Sequence, residues 1–282
     1  MRTLSLGYSP CPNDTFIFYP LVHGKIDTGE LRFKEILLDV ETLNKMALRS
    51  EFDITKISYH AFGYLREDYC LLRSGSALGR SCGPLLVSKE DYSLKDLNGK
   101  RIAIPGRLTT ANLLLQLFTF DSKIPFSSSV EMPFHKIMDA VANGDVDAGL
   151  IIHEGRFTYP LYGLKKIVDL GEWWENKTGF PLPLGGILAK RDLGEDLIKR
   201  VDSFIRNSIE YSLNHKEEPK VYIKQHSQEL KERVIEQHIN LYVNDFSLDI
   251  GKEGLSAVQE LFRRAETRGI IKGSRNNILC VT

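Results

Sequence analysis

Two of the chain's seven histidines stand out by position. His153 follows the apolar run Ala148-Gly149-Leu150-Ile151-Ile152, and His60 ends the segment Lys56-Ile57-Ser58-Tyr59. A buried strand would deliver each imidazole to the rim of a pocket, where a group titrating near neutral pH can act as a general base. A core histidine satisfied by backbone fits the same pattern, and the residues alone leave both readings open. His23 and His135 sit near helix ends, and His215, His226 and His238 lie in a polar helical tail where solvation is expected. Neither a second histidine nor an acidic cluster falls at metal-ligand spacing, so no metal site is expected.

Two loops carry polar clusters suited to orienting a ligand. Ser9-Pro10-Cys11-Pro12-Asn13-Asp14-Thr15 follows the first strand-like segment and opens a helical pattern. Its prolines stiffen the entry, and Asn13 or Asp14 suits an N-cap. Capping uses one polar residue, so the whole cluster points to a binding loop. In Ile102-Ala103-Ile104-Pro105-Gly106-Arg107-Leu108-Thr109-Thr110-Ala111-Asn112, a strand turns into a helix start. Thr109 and Thr110 fall where the open N–H groups of the helix converge, and those donors with the helix dipole suit an anion. Arg107 nearby makes a carboxylate the preferred ligand; a capping threonine without a ligand is the alternative.

Other chemistries find no support. Neither a P-loop nor G-x-G-x-x-G occurs, and His153-Glu154 lacks the second histidine of H-E-x-x-H. Gly79-Arg80-Ser81-Cys82-Gly83 spells G-x-S-x-G, but Pro84 and a strand-like Leu85-Leu86-Val87 follow where a nucleophile elbow requires a helix. That glycine-rich run is expected to be a flexible approach to the ligand site.

The elements that must position these residues alternate. Strand patterns at 3–8, 31–38, 53–57, 70–73, 85–88, 101–104, 130–133, 147–152 and 165–170 are interleaved with amphipathic stretches at 14–22, 40–49, 110–119 and 136–143. This predicts an α/β protein with mostly parallel strand pairing. From Glu195 onward the pattern is helical only. A weak repeat superimposes 46–54 on 140–148, aligning Asp53 with Asp147 at the start of a strand. Two similar lobes, each offering strand carboxyl ends to a shared cleft, would explain it. The apolar, Gly/Pro-bounded segments 83–87 and 181–188 read as the crossings. The expected organisation is a larger lobe from 1–87 and 183–282 and an inserted lobe from 88–182.

Composition fits this picture. The 282 residues carry 37 Lys plus Arg against 37 Asp plus Glu, with 42% hydrophobic residues. Zero net charge argues against a nucleic-acid partner, and the apolar content excludes general disorder. Cys11, Cys70, Cys82 and Cys280 are irregularly spaced and read as reduced thiols. The first residues alternate like a strand, without the apolar stretch of a signal peptide, and no segment has the roughly 18 apolar residues of a membrane span. A cytoplasmic protein with no membrane partner is expected.

Ser9-Pro10-Cys11-Pro12-Asn13-Asp14-Thr15-Phe16, Lys56-Ile57-Ser58-Tyr59-His60, Pro105-Gly106-Arg107-Leu108-Thr109-Thr110-Ala111 and His153-Glu154-Gly155-Arg156-Phe157-Thr158-Tyr159 together resemble the 1,4-dihydroxy-6-naphthoate synthase family. The first and last motifs are the specific ones, and the likeness spans essentially the whole chain. It implies a two-lobed, type II periplasmic-binding-protein-like α/β fold with the ligand cleft between the lobes. It also implies a carbon–carbon lyase of the futalosine branch of menaquinone biosynthesis. The implied substrate is cyclic de-hypoxanthine futalosine, a small carboxylate, and the product is 1,4-dihydroxy-6-naphthoate. Carried onto this chain, the resemblance makes His153 the catalytic base. It makes Lys56, Ile57, Ser58, Thr109 and Thr110 substrate-binding positions, with Asn13 and Asp14 lining the pocket. It calls for no metal or organic cofactor. The rival readings are a same-fold, chorismate-dehydrating enzyme of the pathway and a non-catalytic small-anion binding protein.

Overall fold

The first strand, β1 (Arg2–Tyr8), buries Leu4, Leu6 and Tyr8 as its alternation requires. The computed structural model that contains it describes residues 2–124, 128–227 and 231–280. After β1 come α1 (Pro12–Val22), β2 (Leu31–Leu37), α2 (Val40–Ala47), β3 (Ile54–Ser58), α3 (Tyr59–Leu65), β4 (Tyr69–Leu71) and β5 (Ala77–Gly79). Next are β6 (Leu85–Ser88), β7 (Arg101–Ile104), α4 (Thr110–Ser122), β8 (Ser128–Glu131), α5 (Ile137–Asn143) and β9 (Ala148–Ile151). These lead to α6 (Gly155–Thr158), β10 (Lys165–Asp169), α7 (Leu170–Thr178) and β11 (Leu182–Lys190). The tail holds α8 (Glu195–Asn214), α9 (Lys220–His226), α10 (Glu232–Tyr242), α11 (Asp245–Leu248) and α12 (Gly251–Thr267).

The chain forms two compact units, Met1–Gly79 with Pro183–Thr282, and Arg80–Leu182. The first unit's sheet runs β2-β1-β3-β11-β4, with β5 also on β11; the second unit's runs β10-β6-β9-β7-β8. Read from the other edge, the second order is β8-β7-β9-β6-β10, so the two sheets repeat one plan. The repeat seen in the sequence reaches individual bonds. Asp53 Oδ2 accepts the Ser5 N–H at 2.8 Å, and Asp147 Oδ2 accepts the Arg101 N–H at 2.8 Å. Ser5 lies beside Asp53, and Arg101 beside Asp147, at equivalent points of the central strands.

Two expectations need correction. Pairing is not mostly parallel. β1 is parallel to β2 and β3, and β7 to β8 and β9, but β11 runs antiparallel to β3 and β4, and β6 antiparallel to β9 and β10. An apolar run shows burial but carries no direction, so these returning strands read like the rest. The first boundary also moves. β6 pairs wholly within the second unit's sheet, so residues 80–87 belong there and the division falls at Gly79/Arg80.

Each unit has its own core. In the first, Leu4, Leu6, Phe16, Ile17 and Ile54 cluster with Ile198, Val201, Ile205 and Ile209 of α8. Those α8 residues recur every three or four positions, the spacing of one helix face. In the second, Leu85, Val87, Ala103, Ile137, Val141 and Ile151 cluster. Each such fully buried Val, Leu, Ile or Phe side chain contributes about 1.5–3 kcal/mol. Among the described residues, no helix is long and apolar enough to cross a membrane.

Candidate active site

In the second unit, the carboxyl ends of the parallel strands β8, β7 and β9 bring three features to one sheet edge. β8 leads to Phe134, β7 to Thr109, and β9 to His153, which stands two residues beyond Ile151. Strand carboxyl ends are where α/β sheets bind ligands. His153 has φ 54°, a left-handed backbone that β-carbon crowding makes uncommon outside glycine. Its ring packs 5.0 Å from that of Phe134, centroid to centroid. Such strain persists where surrounding contacts over-determine it, and those contacts are present. Gly155 N–H donates to Ile152 O and Arg156 N–H to His153 O, forming the α6 turn. The Arg156 guanidinium is clamped between Gly83 O at 2.6 Å and Asp169 Oδ2 at 2.7 Å. Asp169 Oδ1 meanwhile caps α7 through the N–H groups of Gly171 and Glu172.

Gly83 is not part of a flexible approach. A β-carbon there would lie 2.3 Å from Gly171 Cα, so backbone meets backbone and only glycine fits. Beside it, burial pushes the Cys82 thiol up to about 12 despite the charge of Arg156, leaving it protonated and unreactive.

Thr109 is the N-cap of α4. Its Oγ1 accepts the Asn112 N–H at 3.2 Å and donates to Gly106 O at 2.8 Å. Thr110 begins the helix, and both threonines are buried. Arg107 does not join them: its side chain is 76% exposed and pairs with Glu131 at 3.4 Å.

In the first unit, the carboxyl ends of β1 and β3 hold a second polar group. Cys11, rather than Asn13 or Asp14, is the N-cap of α1, and Pro12 occupies the first turn, where its missing N–H costs nothing. Asn13 and Asp14 are thereby left for other partners. Asp14 Oδ2 accepts from Ser9 Oγ at 2.7 Å, and Asp14 Oδ1 lies 2.6 Å from Lys56 Nζ. Both members of this ion pair are buried. Ser58 shares the Lys56 face of β3 and exchanges hydrogen bonds with Asn44, whose Nδ2 donates to Ser58 Oγ at 3.2 Å and whose Oδ1 accepts the Ser58 N–H at 3.0 Å. Ile57 points to the opposite face by strand alternation, and its side chain is buried. His60 lies within α3, 2% exposed, with its ring 5.6 Å from that of Tyr64.

His238 is the residue that sequence reasoning missed. Expected to be solvated, it is 0% exposed on α10, with Nε2 2.9 Å from Asn13 Oδ1. A sequence separation of 225 leaves no local signal for the contact.

A family described as "Menaquinone biosynthesis" matches residues 4–267. A 1,4-dihydroxy-6-naphtoate synthase of Thermus thermophilus is 53% identical over 270 residues, covering 96% of this chain and 96% of that protein. The chain belongs to the 1,4-dihydroxy-6-naphthoate synthase family. It is thus an enzyme of menaquinone biosynthesis. A solved protein from Archaeoglobus fulgidus superimposes with a TM-score of 0.89 at 38% identity, covering 95% of this chain and 98% of its own. An alkanesulfonate-binding protein from Xanthomonas axonopodis superimposes with a TM-score of 0.73 at 16% identity, covering 99% and 98%. That likeness shows the fold alone, and the fold is periplasmic-binding-protein-like. Within the family's shared architecture, the His153 motif forms the turn after β9, and the Ser9–Thr15 loop the turn after β1.

Proposed function

We propose that the chain is a carbon–carbon lyase that converts cyclic de-hypoxanthine futalosine to 1,4-dihydroxy-6-naphthoate in the futalosine branch, with His153 as general base. The observation that carries this reading is the 53% identity to a naphthoate synthase across 96% of both chains. The geometry of the second unit supports the role of the imidazole, since His153 sits in a constrained turn at the strand edge that also holds the α4 start. In this reading His153 removes a proton activated by, or placed on oxygen next to, the substrate carbonyl system. In the oxygen case the O–H pair becomes the carbonyl of the departing sugar-derived fragment, the carbon–carbon bond breaks, and its pair enters the ring carbonyl system as an enolate. Proton transfer turns that enolate into the aromatic ring, which makes the step downhill. The substrate carboxylate is assigned to Thr109 and Thr110. With Thr109 Oγ1 already engaged as the cap, they act there chiefly through first-turn N–H groups and the helix dipole. In the first unit, Lys56, Ile57, Ser58, Asn13 and Asp14 are assigned to substrate binding, Ile57 through its backbone. A cytoplasmic location belongs to the same reading.

The test is direct. Purified protein is incubated separately with cyclic de-hypoxanthine futalosine and with chorismate, and aromatic product is followed by absorbance. Formation of 1,4-dihydroxy-6-naphthoate from the first alone is the expected result. Consumption of chorismate, or binding of either compound without turnover, would overturn the assignment.

A further inference from the structure

We propose that His238 is a positioning residue that sets the orientation of the Lys56 ammonium through Asn13 and Asp14. Four buried side chains form the link. His238 Nε2 lies 2.9 Å from Asn13 Oδ1, Asn13 Nδ2 donates to Asp14 Oδ1 at 2.8 Å, and Asp14 Oδ1 lies 2.6 Å from Lys56 Nζ. None of the four is more than 7% exposed. Ser9 Oγ and N–H hold the other oxygen, Asp14 Oδ2, at 2.7 and 3.3 Å.

The direction of every bond follows from chemistry. An ammonium only donates and a carboxylate only accepts. Asn13 must therefore turn its NH2 toward Asp14 and its oxygen toward α10. His238 must in turn carry a proton on Nε2 to meet that oxygen. Without that donor, the buried Asn13 oxygen loses its partner, and the amide is held against Asp14 from one side only.

The far end of the link is a buried ammonium with donors to spare. The Lys56 ammonium has three N–H donors, yet among the described residues it makes only the ion contact with Asp14, and no acceptor meets it in hydrogen-bond geometry. A buried ammonium left in this state calls for an acceptor from outside the protein. This inference rests on the reading above that Lys56 contacts substrate. His238 touches neither substrate nor reacting atoms in it; its effect passes through Asp14.

Two amide substitutions isolate the bond. The His238→Gln side chain places an N–H near the position of Nε2, whereas the shorter His238→Asn side chain does not reach it. His238→Gln is expected to keep KM within about threefold of wild type, and His238→Asn to raise it about tenfold with kcat little changed, the scale of one charge-linked hydrogen bond. In a Lys56→Met background, His238→Asn is expected to add no further change. Equal KM effects from Gln and Asn, or full additivity with Lys56→Met, would reduce His238 to a packing residue and overturn the proposal. The histidine 15N resonances of the wild-type protein give a second readout that needs no substrate. They are expected to show His238 protonated on Nε2, with the N–H signal shifting in Asn13→Ala; an Nδ1–H tautomer would also overturn it. If wild-type protein fails to turn over cyclic de-hypoxanthine futalosine, the functional reading falls, while the resonance measurement still decides the bond.

Discussion

His153 combines two roles that mutation can separate. Its imidazole is the proposed base, and its backbone occupies the left-handed region at φ 54°. Replacing it with alanine or glycine removes the imidazole in both cases, and kcat is expected to fall about 10²–10⁴-fold in each. Only glycine also relieves the β-carbon clash, so His153→Gly is expected to be more stable than His153→Ala by about 1 kcal/mol in denaturant unfolding. Product binding, measured by titration, is expected to survive in both variants. Equal stability of the two would mean that the turn tolerates a β-carbon, and retained turnover would remove the base. The sequence made this residue visible because an apolar strand runs directly into it. His238 and the Arg156–Asp169 clamp were not visible, because burial and pairing over long separations leave no trace in local periodicity. Arg107 shows the opposite failure: its place beside Thr109 in the chain suggested a shared ligand, but its side chain turns outward to Glu131.

At the scale of elements, α1 is the support for Asn13 and Asp14, and it is a helix with a proline inside. Pro20 has no N–H for the carbonyl of Phe16. Two serines one turn apart on α8 fill the gap. Ser212 Oγ donates to Phe16 O at 2.7 Å, while Ser208 Oγ donates to Ile17 O at 2.7 Å and accepts the Leu21 N–H at 3.1 Å. Both serines are fully buried. Ser212→Ala strands a buried carbonyl and is expected to cost about 1–3 kcal/mol of unfolding free energy. The same change in a Pro20→Ala background restores an N–H for Phe16 O and is expected to cost much less. Equal costs in the two backgrounds would show that Ser212 acts by packing alone. The amphipathic pattern of α8 is readable from its apolar residues, but the residue type of Ser208 and Ser212 gives no sign of their burial on that face. The repeated α2–β3 and α5–β9 units were legible because Asp53 and Asp147 do the same backbone-binding work in both sheets. The antiparallel β6 and β11 were not, since hydrophobicity does not encode strand direction.

At the scale of the whole chain, the cysteines correct the expectation of four reduced thiols. Cys70 on β4 is bonded to Cys280, 210 residues later. The backbone follows the same path: Leu71 N–H donates to Ile278 O at 2.8 Å, and Cys280 N–H to Leu71 O at 3.0 Å. Residues 278–280 are thus stitched to β4, and the sequence between the two cysteines includes all of the second unit. Irregular spacing in the sequence could not reveal this, because only the fold brings the two Cα atoms within 4.8 Å. A loop this long restricts the unfolded chain by roughly 5 kcal/mol in the chain-entropy limit. The two remaining cysteines, Cys11 and Cys82, are buried, and burial also keeps the Cys82 thiol protonated. Titration with a thiol reagent is therefore expected to find none in the native protein, two after denaturation without reductant, and four after reduction. Cys280→Ser is expected to lower the unfolding free energy by about 2–5 kcal/mol. Four thiols in denatured, unreduced protein would mean that the hydrogen bonds around Leu71 hold the chain end alone. Because a cytoplasm keeps most thiols reduced, the same titration on freshly prepared protein tests the proposed location as well as the disulfide.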